Sequence, residues 1–442
     1  MRFFNKIATC FVVYVTGCAA ISYAAVIGTN LPAQPISMER IDGLPRKERV
    51  AWSKYLKRSE KQLKADKAAF HGEMRAHNIK ESTLPPTGRS LRALSSNREP
   101  RWYGEPEALR IADIVVSFQT PAGGWSKNLS FTSHIRSPGE HFAPDNRSRF
   151  STNSANSDND APHDASWSYV GTFDNGATTT QLRYLAKVIS ALPRSASAKY
   201  RKSFLRGLDY ILEAQFPNGG WPQVWPLQGG YHDAITYNDG GMMHVIELLD
   251  DVGSGKGEFE FVPRGYRWKA AASAKRGINC ILATQIVVNG QRSVWCQQHD
   301  AITLQPTAAR NYEMPCKTSG ESAEILVFLM NIPSPSPQVV AAVHPAIAWL
   351  EKTEIFDVAY RRTSDEGRKL IAAPGNGPIW ARYYGITTDI PIFGDRDKSI
   401  HDTVNEISLE RRNGYGWYGD SPARAIGAYK QWNLKYPAPA AQ

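Results

Sequence analysis

From about residue 101 onward, apolar side chains recur three and four positions apart, the spacing that lines one face of a helix. Ile111, Ile114, Val115 and Phe118 make one such stripe, behind Pro106, which suits a first helical turn. Leu182, Leu185, Val188, Ile189 and Leu192 make a second, and Phe204, Leu205, Leu208, Ile211 and Leu212 a third. Val245, Ile246, Leu248 and Leu249 continue the theme, as do Ile325, Leu326, Phe328 and Leu329, then Val340, Val343, Ile347 and Leu350. Strand-like alternation is scarce. The pattern predicts an all-α fold of antiparallel helix pairs in a ring or partial ring. Three stretches also end alike, in a glutamine, a glycine-containing turn and a tryptophan: Gln119 to Trp125, Gln215 to Trp221 and Gln285 to Trp295. Such repetition marks repeated supersecondary units whose loops gather on one face. The tryptophans are expected to anchor core and loops rather than to stack on a ligand.

The N-terminal part reads differently. Residues 1–24 resemble an export signal, with Arg2 and Lys6, a mostly apolar run from Ile7 to Val15, and Ser22-Tyr23-Ala24 for cleavage. Val15-Thr16-Gly17-Cys18 offers a second reading, a lipoprotein site with Cys18 as lipid acceptor. Either predicts a periplasmic or extracellular protein. Residues 46–77 are dense in Lys, Arg, Glu and Ala, with Trp52, Tyr55, Leu56 and Leu63 on one stripe, which predicts a solvated helix packed on the main domain. The expected organisation is an export signal (1–24), a helical extension and linker (25–100) and a catalytic domain (101–435). Residues 131–167 are rich in Ser, Asn, Asp and Arg, a long polar loop of the kind that is often functional.

Composition narrows the partners. The formal net charge of +10 steers anions, and 12 Trp, 19 Tyr and 16 Phe supply flat apolar faces. Such anionic partners include nucleic acid, anionic lipid and acidic polysaccharide, but the basic residues are scattered, with no nucleic-acid motif. No protein partner is implied, and a monomer is expected. Beyond the signal, Cys280, Cys296 and Cys316 allow at most one disulfide and show no zinc spacing.

The candidate chemistry lies in the loops. Asp174-Asn175-Gly176 precedes a helix, and so does Asn238-Asp239. Either aspartate alone reads as a helix cap. Two on one face, each beside an asparagine, suit a hard cation such as calcium, or an acid/base pair for glycoside hydrolysis. His299-Asp300 invites a dyad, though sequence neighbours rarely hold that geometry. Arg382 and Arg396 carry the forked guanidinium that clamps carboxylates. Lys127 is a weaker candidate for a substrate contact.

Taken in order, GGWSKN (Gly123 to Asn128), FDNGATTTQLRYLA (Phe173 to Ala186), PNGGWPQ (Pro217 to Gln223), GGYHDAITYND (Gly229 to Asp239), WCQQHD (Trp295 to Asp300), TAARNYE (Thr307 to Glu313), WARYYG (Trp380 to Gly385), FGDRD (Phe393 to Asp397) and ERRNGYGWYG (Glu410 to Gly419) resemble the polysaccharide lyase family 10 pectate lyases. The resemblance implies an α/α partial toroid whose long loops form a cleft, cleaving α-1,4-polygalacturonate by calcium-dependent anti-β-elimination. It implies that Asp174 and Asp239 hold or bridge calcium, that Arg310 is the base, and that Asn175, Arg382, Arg396 and Lys127 meet substrate. An arginine base predicts an alkaline optimum, because its ordinary pKa exceeds ~12; cations crowded beside it would lower that value. The rivals are a toroidal glycoside hydrolase using the two aspartates and a non-catalytic pectin-binding protein. A terpene-cyclase-like reading of the Gln–Trp repeats fails, because Asp250-Asp251 does not continue into an aspartate-rich motif. Two features depart from the family pattern: the polar insertion from about 133 to 167, and Gly240-Gly241, expected to loosen the Asp239 site.

Overall fold

The computed structural model describes residues 26–88, 94, 97–144 and 170–438. The export segment with Cys18, and residues 145–169 of the polar stretch, lie outside them. Among the described residues the α-helices are α1 (Met38–Asp42), α2 (Arg46–Ala76), α3 (Pro106–Ser117), α4 (Thr179–Ala191), α5 (Ala198–Ala214), α6 (Gly241–Ser254), α7 (Arg264–Thr284), α8 (Gly320–Met330), α9 (Pro337–Lys352), α10 (Leu409–Gly414) and α11 (Pro422–Lys435). The stripes read from the sequence fall on the core-facing sides of α3, α4, α5, α6, α8 and α9. α4, α6 and α8 neighbour one another in that order, and α3, α5, α7 and α9 form a second layer against them.

The all-α expectation is corrected. The chain is 48% helix and 13% strand, with several small sheets. Val358–Thr363 and Gly367–Ala372 form a full antiparallel hairpin, and Val26–Thr29, Ser399–His401 and Phe393–Gly394 form a three-stranded sheet. Two-residue ladders stitch the loops: Gly171–Thr172 to Val224–Trp225, Ile235–Thr236 to Gln298–His299, and Lys317–Thr318 to Tyr383–Tyr384. Strands of two residues complete less than one period of alternation, so periodicity passes over them.

The Gln–Trp units work as joints. Gln119 donates to the Gly123 and Ser203 carbonyls at 2.7 and 2.9 Å. Gln215 does the same to Gly219 and Ser273 at 2.9 and 3.0 Å, and Gln285 to Ser293 and Ala342 at 2.8 and 2.8 Å. Each glutamine thus closes its own turn and ties it to the next helix of the second layer. Each tryptophan indole donates back to the helix it follows: Trp125 to Val115 at 2.7 Å, Trp221 to Ile211 at 2.9 Å, Trp295 to Ile281 at 2.7 Å. All three rings are buried, as expected of anchors. The tryptophan carbonyls then accept from the backbone of Thr172, Thr236 and Thr318 at 2.9, 3.2 and 2.8 Å. Those threonines lead into α4, α6 and α8. The repeat therefore aims the loops at the start of these three helices.

The turn glycines of the first two units are sterically required. Gly219 has φ +97, and a Cβ there would lie 2.3 Å from the Arg276 carbonyl oxygen. Gly219→Ala is expected to destabilise the protein by roughly 2–4 kcal/mol, from backbone strain plus overpacking. Chemical denaturation measures this, and an unchanged midpoint would refute it.

α2 packs on this frame as expected, burying Trp52, Tyr55 and Phe70, with Tyr55 donating to the Ala214 carbonyl at 3.0 Å. One apolar core runs from Ile41, Trp52 and Tyr55 into the layered helices.

Candidate active site

The loops before α4 and α6 share one conformation and lie against each other. Each runs aromatic, two Asx residues, glycine: Phe173-Asp174-Asn175-Gly176 and Tyr237-Asn238-Asp239-Gly240. Asn175 and Asp239 occupy the same left-handed backbone position, φ 52 in both. The order of acid and amide is reversed between the copies, so the two carboxylates are not repeats of one another. Asp174 is buried, while Asn175 and Asp239 open to solvent. Asn and Asp tolerate this backbone region best after glycine. Gly240 is itself left-handed at φ +67, and a Cβ there would lie 2.7 Å from the His244 ring. Gly240 therefore fits the loop closely, while Gly241 has only ordinary contacts.

The reversal brings two carboxylates side by side. Burial opposes the charge of Asp174, but the Lys127 ammonium, which bonds its Oδ2, and Arg310 beyond it hold the pKa below the ordinary range. Asp239 moves the other way: desolvation within the cleft, then the Asp174 charge, push it up to about 6, although its side chain still reaches solvent. Two carboxylates pushed apart in this way crowd one another at a single site. Asp174 Oδ1 is buried with no hydrogen-bond partner, as is Oε2 of the nearby Glu321. Orphaned carboxylate oxygens beside a second carboxylate fit a hard cation. Among the described residues no group of three or more Asp, Glu, His or Cys side chains is disposed to hold a metal. Calcium takes about 6–8 oxygens, so the protein would supply a minority of the ligands and leave room for a substrate carboxylate and water. The N-termini of α4, α6 and α8 add partial positive charge on the same side.

The loop between the third unit and α8 carries Arg310. Its guanidinium grips Glu313 through Nε at 2.8 Å and also through Nη2, while the Arg310 backbone N–H donates to Glu313 at 3.0 Å. Glu313 is buried and also accepts from the Tyr415 hydroxyl at 2.6 Å. Tyr415 and Tyr383 share a hydroxyl contact of 2.6 Å, and Tyr383 donates to Gln297 at 2.6 Å. Burial works against charge on both partners, but each is stabilised by the other: Glu313 is held down at about 2, and Arg310 is raised well above its ordinary value. The crowding by cations that would loosen the Arg310 proton is thus outweighed by Glu313.

Arg382 closes the circle. Its Nη2 donates to Asn238 Oδ1 at 2.9 Å and to Glu321 at 2.6 Å, and Asn238 in turn donates to Asp239 Oδ2 at 2.9 Å. A cavity of about 190 Å³ opens here, with Asp239, Glu321, Glu324 and Arg382 in its wall. Arg396 sits to one side, bonded to Glu410 at 3.2 Å, and shares the Tyr312 ring with Arg310 at 5.1 and 4.9 Å. Lys127, Asp174, Asp239, Arg310 and Arg382 therefore converge, Asn175 stands at their rim, and Arg396 joins through Tyr312. A larger cavity, about 840 Å³ beside Arg98 and Arg201, borders the C-terminal half of α4, the opposite end from Asp174.

The His299–Asp300 dyad does not form. His299 is buried, accepts from the Cys296 N–H at 3.1 Å and bonds the Leu304 carbonyl at 2.9 Å, and burial holds it neutral with a pKa of about 4. Asp300 pairs with Arg40 instead. Glu313, Glu321 and Tyr415 were not singled out in the sequence as site residues. Glu321 stands in the third unit where the aspartates stand in the first two, but without an Asx-Gly signal. Glu313 had a usable one, a glutamate three residues after the arginine it holds.

A family model for pectic acid lyase matches residues 119–426. Among solved structures, a family 10 polysaccharide lyase from Cellvibrio cellulosa is similar at 28% identity and a TM-score of 0.62, covering 78% of this chain and 94% of that one. A mutant of a family 10 polysaccharide lyase from Cellvibrio cellulosa, in complex with trigalacturonic acid, matches at 28% identity and a TM-score of 0.62, covering 79% and 99%. No curated protein matches.

Proposed function

The chain belongs to the pectic acid lyase family and is a pectate lyase, and we propose that it cleaves α-1,4-polygalacturonate by calcium-dependent anti-β-elimination. The observation that carries the calcium is the pair of unlike carboxylates, Asp174 with its orphaned oxygen and Asp239 at about 6. In the reaction the proton leaves C5, the C4–O bond to the neighbouring sugar breaks, and a C4=C5 double bond remains. The C5 proton is weakly acidic until the adjacent carboxylate is neutralised. A cation held by Asp174 and Asp239 would supply that neutralisation and withdraw electrons from C5. Arg382 and Arg396 offer guanidinium forks to uronate carboxylates on either side of Arg310. Lys127, already placed on Asp174, contributes a second positive charge near the developing enolate, and Asn175 offers an amide at the rim.

Arg310 is proposed as the group that takes the C5 proton. A second reading is favoured by Glu313, which strengthens Arg310's hold on its own proton: Arg310 stays a cation, binds the developing negative charge, and solvent hydroxide accepts the proton. The pH profile separates them. With Arg310 as base, Glu313→Gln removes the negative charge that raises its pKa, and the alkaline rise in kcat shifts to lower pH. An unmoved rise favours hydroxide.

The reaction is tested by ultraviolet absorbance of unsaturated product from polygalacturonate, with and without chelator. Reducing ends without a double bond would mean hydrolysis, and binding without product a non-catalytic protein. Calcium binding should itself depend on pH. Asp239, with its raised pKa, is mostly protonated at about pH 5 and ionised above about pH 7, and relative to the unfolded chain this costs stability as pH rises from about 4 through about 6. Calcium offsets the cost. Its affinity is expected to climb from about pH 5 to 7 and then level off, with a larger calcium-induced Tm increase at the higher pH. Titration calorimetry showing a flat affinity across this range would sink the assignment of Asp239.

A further inference from the structure

The residues around Asn30 and Arg40 precede the 119–426 span that the family model matches, yet they hold the loop carrying Arg310. Val26–Thr29 pairs antiparallel with Ser399–His401, which pairs in turn with Phe393–Gly394. The next residue, Asn30, is buried, and its backbone N–H donates to the Lys398 carbonyl at 2.8 Å. Its amide donates to the carbonyl oxygens of both Arg310 and Asn311, at 3.1 and 2.8 Å. Asn311 Nδ2 reaches on to the Arg396 carbonyl at 2.9 Å. One carboxamide therefore fixes the backbone beneath Arg310 and, through Asn311, ties it to Arg396. The fit is close: a Cβ on Gly394 would lie 2.5 Å from the Tyr312 carbonyl oxygen. Ten residues on, Arg40 grips both carboxylate oxygens of Asp300 at 2.8 and 2.7 Å. Asp300 in turn caps the backbone of Ile302 and Thr303 at 3.0 and 2.8 Å. The same N-terminal segment thus holds the 300–311 stretch at both ends.

We propose that Asn30 is a positioning residue for the lyase reaction, setting the Arg310 backbone from outside the family-matched region. The proposal rests on the role given to Arg310 above. The Asn30 side chain bonds only backbone carbonyls of this loop, so its loss leaves the aspartate pair and the Arg382 clamp in place and displaces the group acting at C5. A displacement near 1 Å can cost about 100-fold in rate.

The test uses Asn30→Asp, which keeps the shape but has no amide donor, and Asn30→Ala, which is neutral. Tyr55→Phe serves as control: it removes a bond anchoring α2 to the frame, away from the Arg310 loop. For both Asn30 variants kcat on polygalacturonate is expected to fall about 10-fold or more, with KM within about twofold, at temperatures where thermal denaturation shows them folded. Tyr55→Phe lowers the melting temperature and leaves kcat within about twofold. If Asn30→Ala does not fold, Asn30→Asp decides. Parent-like kcat in the Asn30 variants overturns the proposal, and so does an equal kcat loss in Tyr55→Phe, which would make the role merely structural. Arg310→Ala, assayed alone, separates the two levels. Near-parent turnover there defeats the Arg310 reading without touching Asn30, and the Asn30 proposal falls with it.

Discussion

Arg310→Ala is expected to lower kcat on polygalacturonate by about 10²-fold or more, whichever proton acceptor operates. A base contributes about 10²–10⁴-fold, and a preorganised cation at a developing negative charge about 10²–10³-fold. The substitution also frees Glu313, a buried carboxylate whose charge depends on Arg310. The freed carboxylate would take up a proton or draw in water, so the variant loses both the guanidinium and the local balance that holds Tyr415 and Tyr383 in line. Arg310→Lys would keep a charge but lose the two-point grip on Glu313 and is expected to recover little. Steady-state kinetics at saturating calcium measures both variants. Turnover within tenfold of the parent for Arg310→Ala would remove Arg310 from the chemistry.

The second large effect is expected from the aspartates, and it should be unequal. Asp174→Ala removes a buried carboxylate that also neutralises Lys127. It is expected to abolish measurable turnover at millimolar calcium, because the Lys127 ammonium, without its carboxylate, would stand where the proposed cation binds. Asp239→Ala removes a ligand at the solvent-facing tip of its loop and the charge that crowds Asp174. Calcium affinity should fall, while added calcium restores part of the turnover. Calorimetric titration alongside the ultraviolet assay separates the cases. Unchanged calcium affinity in both variants would refute the metal assignment, and full calcium rescue of Asp174→Ala would refute its ordering.

Most of the helices were legible because they bury a stripe that repeats every turn, and Asp174, Asp239 and Lys127 stood out as candidates because they lie in loops near the Gln–Trp units, whereas Arg382 stood out by its forked guanidinium and the resemblance. The short sheets stayed hidden, since Gly171–Thr172 and Val224–Trp225 pair across many residues and leave no local signature. Another tryptophan joint was missed for a related reason. Trp380 donates to the Leu350 carbonyl at 2.8 Å just as the others bond back to their helices. Here α9 ends at Thr353 instead of a glutamine, and the hairpin of residues 358–372 separates helix from tryptophan. The unequal aspartates were also out of reach. Asp-Asn and Asn-Asp look interchangeable as strings, and only the left-handed turn at their second position decides which side chain is buried and which is presented.

The hydrogen bond from each loop threonine to the tryptophan before it separates where the chain wanders from where it works. Whatever lies between Trp125 and Thr172, or between Trp221 and Thr236, begins and ends at a fixed joint. Closing a longer loop costs only roughly 0.6 kcal/mol for each doubling of its length, so residues can be added in the first interval beyond Lys127 with little penalty, whereas the second is buried along nearly its whole length. The first of these intervals is the longest and contains the polar insertion. It is the natural place for the family to acquire new sequence, and a practical one for grafting a binding module or an affinity tag beside a cleft whose catalytic loops stay in place.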